Sequence, residues 1–329
     1  MNGTGPRNAL TDVAGLSVGQ AEADGVPTGV TVIVPAEPCV AAADQRGGAP
    51  GTRELALLEP GCLVERIDAV VLAGGSAYGL AAADGVVDAL AADGRGFPVG
   101  EARVPIVSGL ILFDLGVGPP ARTTSLYAEL GRRAYAVRSA DLTLGRVGAG
   151  RGATCGSLAG GIGSASAIEP MTGATVAALA AVNAFGEVVI PGTSCFWAWP
   201  FERDGEFGGR EPPRGPVDAA PISPPPIVGA NTTLVVAATD AALDRPQAKR
   251  LAMMAQDGLA RALNPVHTPF DGDTVIALAT GHRSTVDAAD LCRLGALGAD
   301  TVARAIARGV FEAQRSTPAT PGPSTSGGL

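Results

Sequence analysis

Between residues 201 and 230 the chain reads FERDGEFGGREPPRGPVDAAPISPPPIVGA, and no regular element can run through it. Proline fixes φ and removes a backbone donor, so the stretch predicts an exposed, extended linker. The chain must therefore be organised before and after this break. The part before it mixes short β-branched runs with glycine-rich turns. Residues 28–36 (TGVTVIVPA) and 68–73 (DAVVLA) read as strands. Thr175–Asn183 (TVAALAAVN) suits a strand, although its alanines fit a helix equally well. A turn at Ala184-Phe185-Gly186 into residues 187–190 (EVVI) predicts a hairpin there. Residues 80–91 read as a buried helix opening after Gly74-Gly75-Ser76.

After the break, Thr232–Thr239 (TTLVVAAT) reads as a strand. Asp244 then caps a helix in which Ala248, Leu251, Ala252, Ala255, Leu259 and Leu263 follow the helical period. Asn264-Pro265 ends it. Residues 274–280 (TVIALAT) form a further strand, and Leu291, Leu294, Gly298, Val302 and Ile306 mark a second helix. The tail at 316–329 (STPATPGPSTSGGL) is of low complexity and is expected to be disordered. Strands and helices alternate without a strict βαβ rhythm. The expected architecture is therefore α+β in layers, one domain over residues 1–315, and not a doubly wound parallel sheet.

Composition removes whole classes of function. The chain carries 24 Lys and Arg against 32 Asp and Glu, a net charge of −8. Such a surface is a poor match for phosphate backbones or anionic membranes, so neither nucleic acid nor membrane is an expected partner. No apolar run approaches the ~18 to 20 residues of a membrane span. The first residues lack a basic segment followed by an apolar one, so no secretory signal is expected. Cys39, Cys62, Cys155, Cys195 and Cys292 form no CxxC and suit free thiols in the cytoplasm. His267 and His282 are the two histidines and lack paired-ligand spacing. No metal and no cofactor are expected. Lys249 is the single lysine, on a predicted helix, so lysine chemistry would have to use that residue. A GxSxG string at Gly15-Leu16-Ser17-Val18-Gly19 is followed by the polar QAEADG and reads as a glycine-flanked turn, not a nucleophile elbow. Residues 148–163 (GAGRGATCGSLAGGIG) match neither GxxxxGK[ST] nor GxGxxG, and their glycines instead permit close backbone approach.

The linker runs directly into Asn231-Thr232-Thr233-Leu234 at a strand start. By itself, a threonine there is ordinary. Segments spread over residues 10 to 310 add to it. They include AGLSVG, GGAPGTRE (47–54), VLAGGSAYGLAAADGV (71–86) and VPIVSGLILFDLGVG (104–118). Further on come 148–167, AAVNAFGEVV (180–189), NTTLVVAATDAAL (231–243) and HTPFDGDTVIALATG (267–281). In these segments the chain resembles the self-processing aminopeptidases and amidases typified by L-aminopeptidase/D-esterase, with nylon-oligomer hydrolase and β-peptidyl aminopeptidase. The resemblance implies an αββα sandwich made as one precursor, cut between Asn231 and Thr232 into an α chain of 1–231 and a β chain of 232–329. It implies Thr232 as nucleophile, its freed α-amine acting as base to its own hydroxyl. Tyr78 and Asn183 match the donors of an oxyanion hole. Asp271 and Asp273 match an acidic pair that orients the N-terminal ammonium. Expected substrates are short peptides, amino-acid amides or esters, and the expected assembly is a homo-oligomer, a tetramer of αβ units.

One departure stands out. The family commonly carries a lysine in the segment matching residues 155–160, which here reads CGSLAG. Arg151 is the nearest cation, and its guanidinium cannot accept a proton; Ser157 could hydrogen-bond at that place. Two other readings stay open: an acyltransferase of the ornithine acetyltransferase kind, and a binding member that never cleaves.

Overall fold

A computed structural model describes residues 3–116, 122–217 and 231–316. Residues 218–230 of the expected linker and the expected tail beyond 316 lie outside them. Nine main strands are β1 (Leu16–Glu22), β2 (Gly29–Pro35), β3 (Cys39–Gln45), β4 (Ala69–Ala73), β5 (Val107–Ile111), β6 (Gly161–Ile168), β7 (Thr175–Asn183), β8 (Thr232–Thr239) and β9 (Thr274–Ala279). The helices are α1 (Ala82–Ala92), α2 (Thr124–Ala136), α3 (Arg245–Ala255), α4 (Asp257–Ala262) and α5 (Ala288–Ser316).

The strands form two mixed sheets. The first runs β1-β2-β4-β5 and ends on the short Thr52–Arg53; the second runs β6-β7-β8-β9-β3 and ends on Arg66–Ile67. In each main sheet one pair is parallel, β4 with β5 and β8 with β9. Strand alternation builds three cores from this arrangement. Ile33, Val70 and Leu72 of the first sheet meet Leu179, Leu234, Val236 and Ile276 of the second. The opposite faces of the same strands are also apolar. Val30, Val32 and Val71 pack under Val86, Leu90, Leu130 and Ala134 of α1 and α2. Ala178, Val182, Val235 and Val275 pack under α3, α4 and α5. The result is the αββα sandwich, in four layers. Among the described residues no helix is long and apolar enough to cross a membrane.

Three local expectations are corrected. Residues 187–190 do not pair back on β7, because both edges of β7 are taken by β6 and β8; Glu187 bridges to Asn264 and Val189 to Phe196. The GxSxG string is a turn only at Gly15, whose φ is 85°. From Leu16 it runs as β1, paired along its length with β2, where Ser17 Oγ donates to the Val34 carbonyl at 3.0 Å. The stretch after residue 201 is not uniformly exposed. Glu202 Oε1 accepts the Phe207 and Gly209 N–H groups at 2.8 and 2.9 Å, and Phe207 is buried edge-on against Phe196. Glu206 pairs with fully buried Arg304 of α5. These contacts are made one residue at a time, so they leave no period in the sequence.

Candidate active site

The site grows from the first residue of β8. In the antiparallel register of β7 and β8, Asn183 stands directly opposite Thr232. Leu234 and Val236 face the first sheet, so Thr232, two residues earlier, faces the same way. Asn183 shares that face with Leu179 and Ala181. The two side chains are thereby neighbours at the end of the sandwich. Thr232 lines a cleft of about 160 Å³ together with Ala49, Pro50, Gly51, Ser76, Ala77 and Phe113, among others. It is only 3% exposed.

The peptide bond before Thr232 is held at both of its oxygen's accessible sides. Thr232 Oγ1 donates to the Asn231 carbonyl, and the Gly272 N–H donates to the same oxygen at 3.1 Å. Asn231 and Asp271 form a parallel bridge, which aligns the two backbones. A Cβ on Gly272 would stand 2.8 Å from Thr232 Oγ1, so the absence of a side chain between the two aspartates gives the hydroxyl its room. Asn183 is fixed from both ends of its amide. Its Oδ1 accepts the Thr154 N–H at 2.9 Å, and its Nδ2 donates to the Phe113 carbonyl at 3.1 Å.

The carboxylates are buried and hydrogen-bonded, as buried charges must be. Asp271 Oδ1 accepts the Phe185 N–H at 3.1 Å, and Oδ2 accepts the N–H and hydroxyl of Thr268. Burial, and then the charge of Asp273 beside it, hold the Asp271 carboxyl above the usual carboxylate range. Asp273 Oδ1 accepts the Thr233 N–H at 2.8 Å, one residue past the candidate nucleophile.

Tyr78 lies on the turn Ser76–Ala81 beside the cleft residues Ser76 and Ala77, but it is 47% exposed and is not among the described lining residues. The structure thus gathers Thr232 and Asn183 on paired strands with Asn231, Asp271 and Asp273 in the segments leading into β8 and β9, and sets Tyr78 on the turn Ser76–Ala81. The segment where a lysine was expected holds a carboxylate contact instead: Glu187 accepts the Ser157 N–H and hydroxyl at 3.0 and 3.2 Å. Arg151 Nη1 donates to the Arg146 carbonyl. Lys249 is engaged elsewhere, donating to the Ala43 carbonyl at 2.6 Å and Glu59 at 2.8 Å. Sequence reasoning missed Gly272 and His267. Gly272 acts through its backbone, and His267 was read only as a missing metal ligand, although it stands in the same HTPFDGD segment. Among the described residues, no group of three or more His, Cys, Asp or Glu is placed to hold a metal ion.

Residues 8–320 match peptidase family S58. The chain belongs to peptidase family S58. Among its relatives, an uncharacterized aminopeptidase of Mycobacterium tuberculosis is 45% identical over 333 residues, covering 93% of this chain and 94% of that protein. The 6-aminohexanoate-oligomer endohydrolase of Paenarthrobacter ureafaciens is 31% identical over 290 residues, 84% of this chain and 76% of the enzyme. Among solved structures, the L-aminopeptidase D-Ala-esterase/amidase of Ochrobactrum anthropi, described as a variant of the Ntn hydrolase fold, superposes with a TM-score of 0.71 at 22% identity. It covers 94% of this chain and 87% of that one. A Burkholderia β-aminopeptidase gives 0.69 at 24% identity, covering 94% and 88%. The S58 member described here therefore has the fold of these hydrolases, and its family makes it a hydrolase of the aminopeptidase type.

Proposed function

We propose that this S58 member is a self-processing N-terminal-threonine hydrolase that releases N-terminal residues from short peptides, amino-acid amides or esters. The observation that carries the reading is the junction at Asn231, where one carbonyl oxygen receives both the Thr232 hydroxyl and the Gly272 N–H. A donor already on that oxygen stabilises the charge that develops when the carbonyl carbon is attacked.

Processing would proceed in two steps. Thr232 Oγ adds to the Asn231 carbonyl carbon, the C–N bond breaks, and the nitrogen leaves with the hydroxyl proton as an amine. Water then opens the ester, giving the Asn231 carboxylate and restoring the hydroxyl. The released amine titrates near ~8, which suits a base for its own hydroxyl at neutral pH. The same residue then attacks substrate as nucleophile. Asn183, opposite Thr232 in the register, supports an oxyanion donor role, and Asp271 and Asp273 support orientation of the ammonium; Tyr78 would close the site from the facing turn. The small, uncharged lining of the cleft suits an amide or ester acyl group. The chain's five free thiols suit a reducing, cytoplasmic setting, and the proposed working form is an oligomer of cut αβ units.

Denaturing electrophoresis with intact-mass measurement tests this directly. Two fragments meeting at Asn231/Thr232 are expected, and Thr232→Ala should stay whole and inactive. A wild-type chain that remains uncut after long incubation overturns the reading. Cutting that persists in Thr232→Ala would move the nucleophile, with Thr233 next in line.

A further inference from the structure

One residue grips Asp273 twice. Asp273 Oδ2 accepts the His267 backbone N–H at 3.1 Å and lies 2.9 Å from His267 Nδ1. A carboxylate only accepts, so Nδ1 is assigned the proton in this pair. Both contacts depend on the conformation of His267, whose φ of 54° puts it in the left-handed region that non-glycine residues enter at a cost. Asp273 is 1% exposed, and its other oxygen is committed to the Thr233 N–H. The carboxylate is thus a rigid bridge from His267 to the backbone immediately after Thr232.

We propose that His267 is a positioning residue of the hydrolase. It sets the carboxylate of Asp273, which sets the Thr233 N–H, which in turn fixes the direction in which Thr232 presents its hydroxyl to the Asn231 carbonyl. The strained backbone at His267 is what delivers both donors to a single oxygen. This inference rests on Thr232 being the nucleophile, and concerns what aims it.

Two substitutions separate the donor from the backbone. His267→Gly accepts the left-handed conformation freely and deletes the side-chain donor. His267→Asn tolerates the same conformation and offers an amide N–H close to the place of Nδ1. Each variant is made by cell-free synthesis, and loss of the intact chain is followed by mass spectrometry well below its own melting temperature. The Gly variant should process about 10- to 100-fold more slowly, by analogy with the loss of a partner that orients a metal-binding side chain. The Asn variant should stay within a few-fold of wild type. A Gly variant that processes at the wild-type rate overturns the inference, and so does an Asn variant as slow as Gly. Should the Gly variant fail to fold, the Asn variant decides alone, since slow processing by a folded Asn variant contradicts the proposal. An uncut wild-type chain would instead remove the Thr232 reading itself, so the two failures are distinguishable.

Discussion

Asp114 is a buried carboxyl, 2% exposed, whose Oδ1 accepts the Gly75 N–H at 2.8 Å. Gly75 has φ 85°, and a Cβ there would stand 2.0 Å from the Tyr127 ring, so the turn that carries Ser76 to the cleft is built around glycine. Tyr127 lies 3.1 Å from the Thr28 hydroxyl, completing a polar floor under that turn. Burial pushes the Asp114 carboxyl above its ordinary range, opposed by the Thr28 hydroxyl, the Gly75 N–H and the Arg122 charge. The sign of the consequence follows. A carboxyl with a raised pKa holds its proton more tightly when folded, so folding stability falls as pH rises from the ordinary carboxylate value of about 4 through the folded value. Asp114→Asn keeps an acceptor for Gly75 and cannot ionise. Thermal melting should show its advantage over wild type growing as pH rises above about 4. A difference that is flat or shrinks as pH rises would show that burial does not raise the Asp114 carboxyl.

At the scale of elements, what was legible in the sequence is what is local. The cap at Asp244 was read from residue type and spacing, and it forms: Asp244 Oδ1 accepts the Gln247 N–H at 2.8 Å while Gln247 Oε1 accepts the Asp244 N–H at 2.9 Å. Asp244→Ala should lower stability by about 1 kcal/mol, measured by chemical denaturation, and leave processing unchanged. No loss at all would mean that packing against the second sheet, and not the cap, starts α3. The predicted helix itself divides, with α3 and α4 separated at buried Gln256, whose amide donates to the Asp44 carbonyl at 2.6 Å. Its apolar period was right, but a single buried side chain interrupts it. The strand β7 shows a different difficulty. All nine of its residues are buried, with Ala178, Ala180 and Val182 facing the helices and Ala177, Leu179 and Ala181 facing the other sheet. Burial on both faces erases the alternation that normally marks a strand, which left helix and strand equally compatible with the alanines. Register could not be read either, so the pairing of Asn183 with Thr232 came to light only in the fold, and the roles proposed for them rest on resemblance. Gly272 and His267 stayed hidden because backbone donors and a left-handed φ have no signature in residue type.

The order of strands in the second sheet determines what self-cleavage could release. β8 and β9 come from the segment after Asn231, yet they lie between β7 and β3, which come from the segment before it. The β7–β8 register runs from Val176↔Thr239 to Asn183↔Thr232, and the β9–β3 register from Thr274↔Gln45 to Ala279↔Val40. Separating the two products would unpair both ladders and expose the cores on each side of the sheet, a loss equivalent to global unfolding. An ion pair reinforces this across the cut: Arg304, with no exposure, is held by Glu206 and by the Asn8 side chain at 2.9 Å. Breaking such a pair on one side leaves a buried charge and typically costs about 3 to 5 kcal/mol. A cut molecule should therefore pass through native size-exclusion chromatography as a single species with both fragments in one peak, and come apart only once denaturant unfolds it. The new Thr232 amine would then be delivered into a site that does not reorganise, since β8 remains pinned between β7 and β9 while the chain before it is freed at Asn231. Elution of the two fragments as separate native species would contradict both this retention and the idea that one rigid site serves processing and turnover alike.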